Sequence, residues 1–346
     1  MKRVLLGMSG GVDSSTAIIL LQEKGYEVVG ITFKFVDGFD DTDAKIVAQK
    51  LNIEHHTLDY RKEFKEEVID RFISDYSKGL TPNPCVICNR KCKFNFLFEN
   101  MDKYNCNYIA TGHYAKIENN KLYRSADELK DQSYFLYDIP KEKLDKIIFP
   151  LEGISKDKVR EIATNHHLIN ANKKDSFDVC FIKGTFEEYI TDNVKQTPGD
   201  VIDLDTNEVI GQHKGLMYYT IGQRRGLDIG GTKDRMFVVG KDIEKNILYV
   251  CIWEDNDYLI SDSCLLEDVN YLTDKKIDQC TAKFRYRQKD VPVELEYLDD
   301  NKVLVKYAGT KRVTPGQACV FYNKKECLGG GIISTIYKNN EKIWYI

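Results

Sequence analysis

The sequence predicts an α/β fold in which a parallel-sheet domain is followed by two smaller, mainly β domains. Over residues 1–115, short apolar segments alternate with segments of helical spacing, which is typical of a parallel sheet covered by helices. After Thr197–Asp200 the hydrophobic period changes to two, which indicates strands. Beyond about Ser261 the alternation is more regular and glycines interrupt it, which favours a small β-barrel. The predicted domains are residues 1–197, 198–261 and 262–346.

Each predicted element follows from a local pattern. Apolar, β-branched segments predict strands in the first domain at Val4–Leu6, Tyr26–Phe33, Glu54–Leu58 and Tyr108–Thr111. Helical spacing predicts helices that begin at Thr16 or span Asp43–Leu51, Glu63–Tyr76, Ser133–Asp138, Lys141–Lys146 and Ser155–His166. Alternation predicts later strands at Val201–Ile202, Val209–Ile210, Phe237–Val239, Leu248–Val250, Ala282–Tyr286, Val291–Tyr297 and Val303–Tyr307.

Composition sets limits on class and partners. The chain has 346 residues and ten cysteines, with no apolar segment long enough to cross a bilayer. Its N-terminus enters a strand at once, so we expect no signal peptide, a cytoplasmic location, no membrane partner and reduced cysteines. The net charge of -4 is uneven, because residues 275–346 carry 14 Lys and Arg against 8 Asp and Glu. This basic segment indicates either a polyanionic partner or a solvated surface.

The segment Gly7–Ser15 (GMSGGVDSS) lies between the first strand and the first helix. Its glycines let a phosphate approach the backbone, and the helix N-terminus favours negative charge. A carboxylate at Asp13 would repel phosphate unless it holds a Mg²⁺ ion that bridges to phosphate oxygens. The pattern S-G-G-x-D-S is not the Walker loop, and it resembles the PP-loop of ATP pyrophosphatases. The alternative is a tight turn capped by serine.

Ligands of parallel sheets lie beyond the carboxyl ends of the strands. This rule places Gly7–Ser14, Phe33 and Gly112–His113 near one crevice. Phe33 is either an adenine-facing side chain or part of the core.

Cysteines form a second candidate site. Two prolines in Leu80–Asn89 exclude regular structure, and a helix follows, so Cys85 and Cys88 lie at a helix start. There the helix dipole is expected to lower a thiol pKa. Cys180 follows a charged segment and lies among apolar residues, where it is either a reactive thiol or a small buried side chain.

Seven sequence blocks, taken in order, resemble the bacterial tRNA-specific 2-thiouridylases, the MnmA family, over essentially the whole chain. The blocks are Gly7–Ser15, Thr81–Asn89, Ala110–Tyr114, Lys130–Tyr137, Lys173–Ile182, Gly215–Leu227 and Thr314–Tyr322. The resemblance implies an adenine nucleotide alpha hydrolase-like first domain, ATP with Mg²⁺, and replacement of the C2 oxygen of the wobble uridine by sulfur. It also implies tRNA as partner and a cysteine desulfurase or sulfur-relay protein as sulfur donor.

The resemblance assigns roles to individual residues. Cys180 carries the sulfur as a persulfide, Cys88 is its nucleophilic or resolving partner, and Asp13 serves adenylation. The implied ATP-binding residues are Gly7, Met8, Ser9, Gly10, Gly11, Val12, Asp13, Ser14, Phe33 and Gly112. The implied tRNA-binding residues are Asn83, Pro84, Cys85, His113, Lys130, Asp131, Gln132, Ser133, Arg285, Tyr286 and Gln317.

The chain departs from the family pattern at Cys85, where the usual residue is aspartate. This departure opens an alternative in which Cys85, Cys88 and Cys180 ligate a [4Fe–4S] cluster. Two further functions stay open from the residues. One is a PP-loop ligase or amidotransferase that adenylates a small metabolite, and the other is a non-catalytic tRNA- or Fe–S-binding protein with a nucleotide fold.

Overall fold

A computed structural model describes residues 1–174, 179–227, 229, 235–299 and 301–346. Its first sheet is entirely parallel, with strand order β3-β2-β1-β4-β7. The strands are β1 (Arg3–Gly7), β2 (Glu27–Lys34), β3 (Glu54–Asp59), β4 (Tyr108–Thr111) and β7 (Ile147–Ile148). The centre of the sheet is apolar, and Val4, Leu5 and Leu6 are fully buried. The predicted parallel-sheet domain is therefore confirmed.

Helices pack around this sheet, and several of them lie where helical spacing predicted them. They are α1 (Val12–Glu23), α2 (Thr42–Lys50), α3 (Arg61–Phe64), α4 (Asp70–Ser77), α5 (Pro84–Ile87), α6 (Asn95–Met101), α7 (Lys156–Asn165) and α8 (Phe186–Asn193). A π-helical segment, Lys65–Ile69, joins α3 to α4, and a second one, Cys88–Phe94, joins α5 to α6. Residues 61–77 and 84–101 therefore each form one continuous helix. Such π-helical segments are frequent at functional sites, and the second one begins at Cys88. The predicted helices at Ser133–Asp138 and Lys141–Lys146 are short 3-10 turns, Ser133–Phe135 and Lys141–Lys146.

The middle of the chain forms a four-stranded sheet of order β10-β11-β8-β9. Its strands are β8 (Gly199–Asp203), β9 (Glu208–His213), β10 (Met236–Asp242) and β11 (Ile247–Ile252). The β8–β11 pair is parallel, and the other two pairs are antiparallel.

The C-terminal part is a closed antiparallel barrel of six strands, as the alternation predicted. Its order is β12-β15-β14-β13-β16-β17, and pairing of β17 with β12 closes it. The strands are β12 (Ile260–Tyr271), β13 (Gln279–Lys283), β14 (Val291–Asp299), β15 (Lys302–Lys311), β16 (Ala318–Asn323) and β17 (Glu326–Lys338), and β18 (Glu341–Lys342) pairs with β17. A hairpin of β5 (Ala115–Glu118) and β6 (Lys121–Arg124) from the first part of the chain also joins this sheet, through Tyr123 opposite Glu326. The barrel and the first domain are thus joined by strand pairing.

None of the helices in the described residues is long and apolar enough to span a membrane.

Candidate active site

The loop after β1 is held in shape by its own serines and by one distant asparagine. Gly10 has a φ of +72°, a left-handed conformation that favours glycine. Ser15 Oγ donates to the carbonyl of Gly11 at 3.0 Å. Asn170 Nδ2 donates to Gly10 O at 3.0 Å and to Ser15 Oγ at 2.8 Å. Ser9 is exposed, so the loop presents one hydroxyl to an incoming ligand.

Asp13 lies in the first turn of α1 and has two partners from elsewhere in the chain. Lys156 Nζ lies 2.7 Å and 2.8 Å from its two carboxylate oxygens. The hydroxyl of Tyr114 donates to Oδ1 at 2.8 Å. The Asp13 side chain is 32% exposed, so it faces the mouth of the loop while remaining anchored.

The end of β4 packs directly on this loop. A Cβ added at Gly112 would lie 2.9 Å from Ser14 N and 3.0 Å from the carbonyl carbon of Asp13. Only glycine allows this approach, so the predicted proximity of Gly112 to the loop has a steric basis. Met8, Val12 and Ser14 are buried, and the Ser14 hydroxyl donates to Gly11 O at 3.2 Å within the loop.

Phe33 is only 9% exposed and lies in an aromatic cluster. Its ring stacks on Phe35 with centroids 5.6 Å apart and meets Tyr60 and Phe96 edge-on. Of its two predicted roles, the core position describes its packing.

Residues 84–101, which carry Cys85 and Cys88, are called the cysteine helix below. The segment before this helix is held by hydrogen bonds to the barrel. Thr81 N donates to Pro315 O at 3.1 Å, and Gln317 Nε2 donates to Thr81 O at 2.6 Å. Pro84 then occupies the first turn of α5, where its missing N–H removes no helical hydrogen bond. The turn between β15 and β16 therefore fixes the position of the backbone just before the helix that carries Cys85 and Cys88.

The thiols differ in exposure, and burial dominates their chemistry. Cys85 and Cys180 are exposed and Cys88 is buried. The surrounding protein raises the pKa of Cys85 and Cys180, and it raises the pKa of Cys88 to about 12. The expectation that the helix start lowers a thiol pKa is therefore wrong, because desolvation outweighs the dipole of a four-residue helix.

Lys93 lies among these thiols on the π-helical segment. Burial lowers the pKa of Lys93, but the negative charges available at Cys88, Cys85 and Cys180 outweigh burial, and the net pKa is raised. The same contacts lower the pKa of each of the three thiols against the effect of burial. In a π-helix the hydrogen bonds join residues i and i+5, so Cys88 and Lys93 lie about one turn apart. Lys93 thus supplies positive charge to the candidate sulfur chemistry.

His113 connects the loop to the cysteine helix. Its ring stacks on Phe94 at 5.9 Å, next to Lys93, and its Nδ1 lies 2.7 Å from Thr111 Oγ1. Burial and the nearby Lys93 lower the pKa of His113 to about 3, so the ring is neutral. The dipeptide Gly112–His113 therefore connects the loop Gly7–Ser15, called the phosphate loop below, to the helical residues 84–101, through the approach of Gly112 to Ser14 and the stacking of His113 on Phe94.

Cys180 is positioned by the residue that follows it. Phe181 is buried and meets Phe72 edge-on at 5.2 Å, with Tyr189 at 5.7 Å. This aromatic contact holds the chain of Cys180 against α4 and α8. Residues 175–178, part of the predicted Lys173–Ile182 block, lie outside the described residues.

The block Lys130–Tyr137 links the first domain to the barrel. Asp131 is buried and accepts hydrogen bonds from Ser125 N at 3.0 Å and Ser133 Oγ at 2.9 Å. Gln132 Oε1 accepts from Tyr114 N at 2.9 Å. These contacts place Asp131 and Gln132 in the framework of the site, and Lys130 is half-buried at its edge.

Arg285 and Tyr286 also make contacts within the chain. Arg285 Nη2 donates to Thr314 Oγ1 at 2.7 Å and to Ile221 O at 3.1 Å, which joins the barrel to the middle domain. Tyr286 packs on Phe135 with ring centroids 4.4 Å apart. A tRNA contact by either residue remains a prediction.

The side chains at the loop suit Mg²⁺, whereas the three cysteines, as the described residues place them, are not arranged to bind an iron–sulfur cluster. Asp13 and the loop hydroxyls are oxygen donors of the kind that Mg²⁺ prefers. For iron and sulfide the result is different, because no group of three His, Cys, Asp or Glu is placed to hold a metal ion within the described part of the chain. As they lie here, Cys85, Cys88 and Cys180 do not form such a group.

Comparison with known proteins identifies the family. Three family models match in succession: a tRNA methyl transferase HUP domain over residues 2–184, a tRNA methyl transferase PRC-barrel domain over 187–252, and an aminomethyltransferase beta-barrel domain over 261–333. The tRNA-specific 2-thiouridylase MnmA of Metamycoplasma arthritidis is 43% identical over 368 residues, covering 100% of both chains. The chain belongs to the MnmA family.

Other MnmA relatives agree. MnmA of Geobacillus thermodenitrificans is 44% identical over 366 residues, covering 99% of this chain and 98% of its own. MnmA of Mycoplasmopsis synoviae is 40% identical over 368 residues, covering 100% of this chain and 99% of its own. The family resemblance predicted from the seven blocks is confirmed.

Several residues that the structure brings into this MnmA-family site escaped sequence reasoning. They are Lys93, Tyr114, Lys156 and Asn170. Tyr114 is the last residue of the block Ala110–Tyr114 but was given no role, and Lys93 lies four residues after Asn89, so position in or near a block was a usable signal for both. Lys156 and Asn170 follow Asp13 by more than 140 residues, and no local pattern connects them to the loop.

Proposed function

We propose that this protein is an ATP-dependent tRNA-uridine 2-sulfurtransferase. It replaces the C2 oxygen of the wobble uridine by sulfur in tRNAs for Lys, Glu and Gln, and it releases AMP and pyrophosphate. The observation that carries the proposal is the junction at Gly112–His113, where the phosphate loop meets the cysteine helix. The function of the MnmA relatives, which are tRNA-specific 2-thiouridylases, supports the same reaction.

Adenylation answers a chemical problem of the substrate. A uracil carbonyl oxygen is a poor leaving group, and transfer of AMP to it makes it a good one. The loop Gly7–Ser14 holds the phosphates through its N–H groups, its exposed Ser9 hydroxyl and the N-terminus of α1. Asp13 and loop hydroxyls would hold Mg²⁺, which neutralises phosphate charge when bound. Gly112 closes this site from the side of β4, and Phe33 backs it from the core.

Sulfur transfer uses Cys180 and Cys88. The terminal sulfur of a persulfide on Cys180 attacks C2, the C2–O bond breaks, and AMP leaves with the oxygen. The thiolate of Cys88 then attacks the sulfur of Cys180, so the S–S bond breaks and its electron pair stays on the sulfur attached to C2. A thiol reductant reduces the resulting Cys88–Cys180 disulfide, and Lys93 supports the negative sulfur in both steps.

The tRNA is proposed to lie across the junction of the domains. Asn83, Pro84 and Cys85 face the target base, and the basic residues 262–346 support the nucleic acid. Further proposed tRNA contacts are His113, Lys130, Asp131, Gln132, Ser133, Arg285, Tyr286 and Gln317. A cysteine desulfurase or sulfur-relay protein supplies the persulfide sulfur, and the tRNA substrate places the reaction in the cytoplasm.

The variant Asp13→Ala tests the adenylation step. Pyrophosphate release in the presence of tRNA and ATP is expected to fall to background, while the circular dichroism spectrum stays that of the wild type. Asp192→Ala, which changes an exposed carboxylate on α8, is the matched control and is expected to retain release. Release at the wild-type rate by Asp13→Ala would refute the assignment of this loop.

A further inference from the structure

The phosphate loop has no cation of its own. Residues 7–15 contain neither lysine nor arginine, and their one charged side chain is the carboxylate of Asp13. ATP brings several negative charges, whereas a helix N-terminus offers only about half a positive charge. In a Walker loop, a lysine inside the motif itself neutralises part of the phosphate charge. The charge balance of this site therefore depends on a residue from elsewhere in the chain.

The structure delivers such a residue from α7. Lys156 is the first residue of that helix and is only 8% exposed, and its Nζ lies 2.7 Å and 2.8 Å from the Asp13 oxygens. A buried lysine is unfavourable unless it is paired. Its position thus requires an anion at the mouth of the loop, and in the absence of nucleotide Asp13 is that anion.

The framework around Lys156 fixes its direction. Ser155 caps α7 by accepting from Lys158 N, and Lys156 N donates to Asp127 Oδ2 at 3.3 Å. Thr16 Oγ1 donates to Val159 O at 3.3 Å, which ties α1 to α7. The ammonium is therefore held at the N-terminus of α1 by the packing of two helices. Asp13 also accepts from Tyr114, so it keeps a hydrogen bond when the ammonium turns to another anion.

We infer that Lys156 is a phosphate-binding residue of the ATP site, held by Asp13 until the nucleotide arrives. The inference rests on the proposed function, because it assigns a residue to the same adenylation. During that step the uridine O2 attacks the α-phosphorus, and the bond from this phosphorus to the bridging oxygen breaks. The electron pair leaves on pyrophosphate, and the ammonium of Lys156 neutralises the charge that develops there.

Nucleotide binding without tRNA tests this inference. Calorimetric titrations with Mg²⁺ compare ATP and AMP on the full-length wild type, Lys156→Met and Lys158→Met. We expect Lys156→Met to weaken ATP binding about tenfold or more, the size of one charge-assisted hydrogen bond, and to change AMP binding by less than about twofold. Lys158→Met, on the exposed side of the same helix, is expected to bind both like the wild type.

A second pair of variants separates phosphate binding from a purely structural ion pair. If Lys156 only neutralises Asp13, then Lys156→Met causes no further loss of ATP affinity in a protein that already carries Asp13→Asn. If Lys156 binds phosphate, the double variant binds ATP about tenfold more weakly than Asp13→Asn alone. Lys156→Arg, which keeps the charge if Lys156→Met fails to fold, is expected to bind ATP within a few-fold of the wild type.

The outcomes are distinguishable. ATP affinity of Lys156→Met equal to that of the wild type, or of the double variant equal to that of Asp13→Asn, would overturn the role of Lys156 alone. A wild-type protein that binds no ATP would overturn the adenylation reaction itself.

Discussion

Gln317 Nε2 donates a 2.6 Å hydrogen bond to the carbonyl oxygen of Thr81, although Gln317 belongs to the barrel and Thr81 to the first domain. Together with the bond from Thr81 N to Pro315 O, it holds the backbone that leads into the cysteine helix. The barrel therefore does more than present a basic surface, because it sets the starting position of Cys85 and Cys88.

The variant Gln317→Leu tests this coupling. Loss of the hydrogen bond is expected to lower the free energy of unfolding by about 1 kcal/mol, because the Thr81 carbonyl loses its partner. Thiolation is expected to fall several-fold with unchanged ATP affinity, since the phosphate loop is not touched. Gln279→Leu, at an exposed position of β13, is the control. Unchanged thiolation by Gln317→Leu would show that the barrel does not position the cysteines.

Two cysteine variants test the relay. Cys88→Ser and Cys180→Ser are both expected to be inactive in thiolation, because a hydroxyl neither carries a persulfide nor resolves one. Both are expected to bind ATP with wild-type affinity. Cys280→Ser, in the barrel, is expected to retain activity. Thiolation that survives in either Cys88→Ser or Cys180→Ser would remove that residue from the mechanism.

The variant Cys85→Asp separates the relay from an iron–sulfur mechanism. It replaces Cys85 by the aspartate that the family resemblance leads us to expect there, and the relay predicts that it thiolates tRNA with a persulfide donor and contains no iron. The wild type is expected to lack iron and sulfide after anaerobic reconstitution as well. The relay would be contradicted if the reconstituted wild type contained iron and sulfide, and if Cys85→Asp lost both the iron and sulfide and the thiolation activity.

The buried thiol gives a pH signature. Because burial raises the pKa of Cys88 to about 12, its alkylation by iodoacetamide is expected to rise about tenfold per pH unit up to at least pH 10. Lys93→Met removes the cation that opposes burial, so alkylation of Cys88 at pH 9 is expected to fall further. Lys91→Met, at an exposed position of the same segment, is the control. Peptide mass spectrometry measures the alkylation rate of Cys88. If this rate is the same in Lys93→Met as in the wild type, Lys93 gives Cys88 no electrostatic support.

His113 predicts a loss of stability in acid. Its folded-state pKa of about 3 lies below the ordinary value of 6.5, so the unfolded chain binds the proton more readily. The contribution to stability is complete above about pH 6.5 and declines as the pH falls towards 3. In denaturant titrations, the wild type is expected to lose free energy of unfolding over this window more steeply than His113→Asn. Identical slopes would show that His113 is not held neutral.

The predictable part of this protein is what short stretches of sequence encode. Alternation of apolar strands with helices gave the parallel sheet, because each segment must bury one face, and period-two segments gave the barrel. The proximity of Gly112 to the loop Gly7–Ser14 was predictable because ligands of parallel sheets lie beyond the carboxyl ends of the strands.

The remaining features depend on tertiary contacts. The ion pair between Lys156 and Asp13 joins segments that are far apart in sequence. The hairpin β5–β6 pairs with β17, and no local pattern names a partner strand. The pKa of Cys88 was predicted in the wrong direction, because helix position is a local property and desolvation by the folded chain is not.

The central claim is tested most directly by nucleoside mass spectrometry of tRNA incubated with the protein, ATP, Mg²⁺ and a persulfide donor. The proposed function predicts 2-thiouridine at the wobble position, formed only with ATP and accompanied by AMP and pyrophosphate in equal amounts. Unmodified uridine under these conditions, or AMP formation directed to a small metabolite in the absence of tRNA, would contradict it.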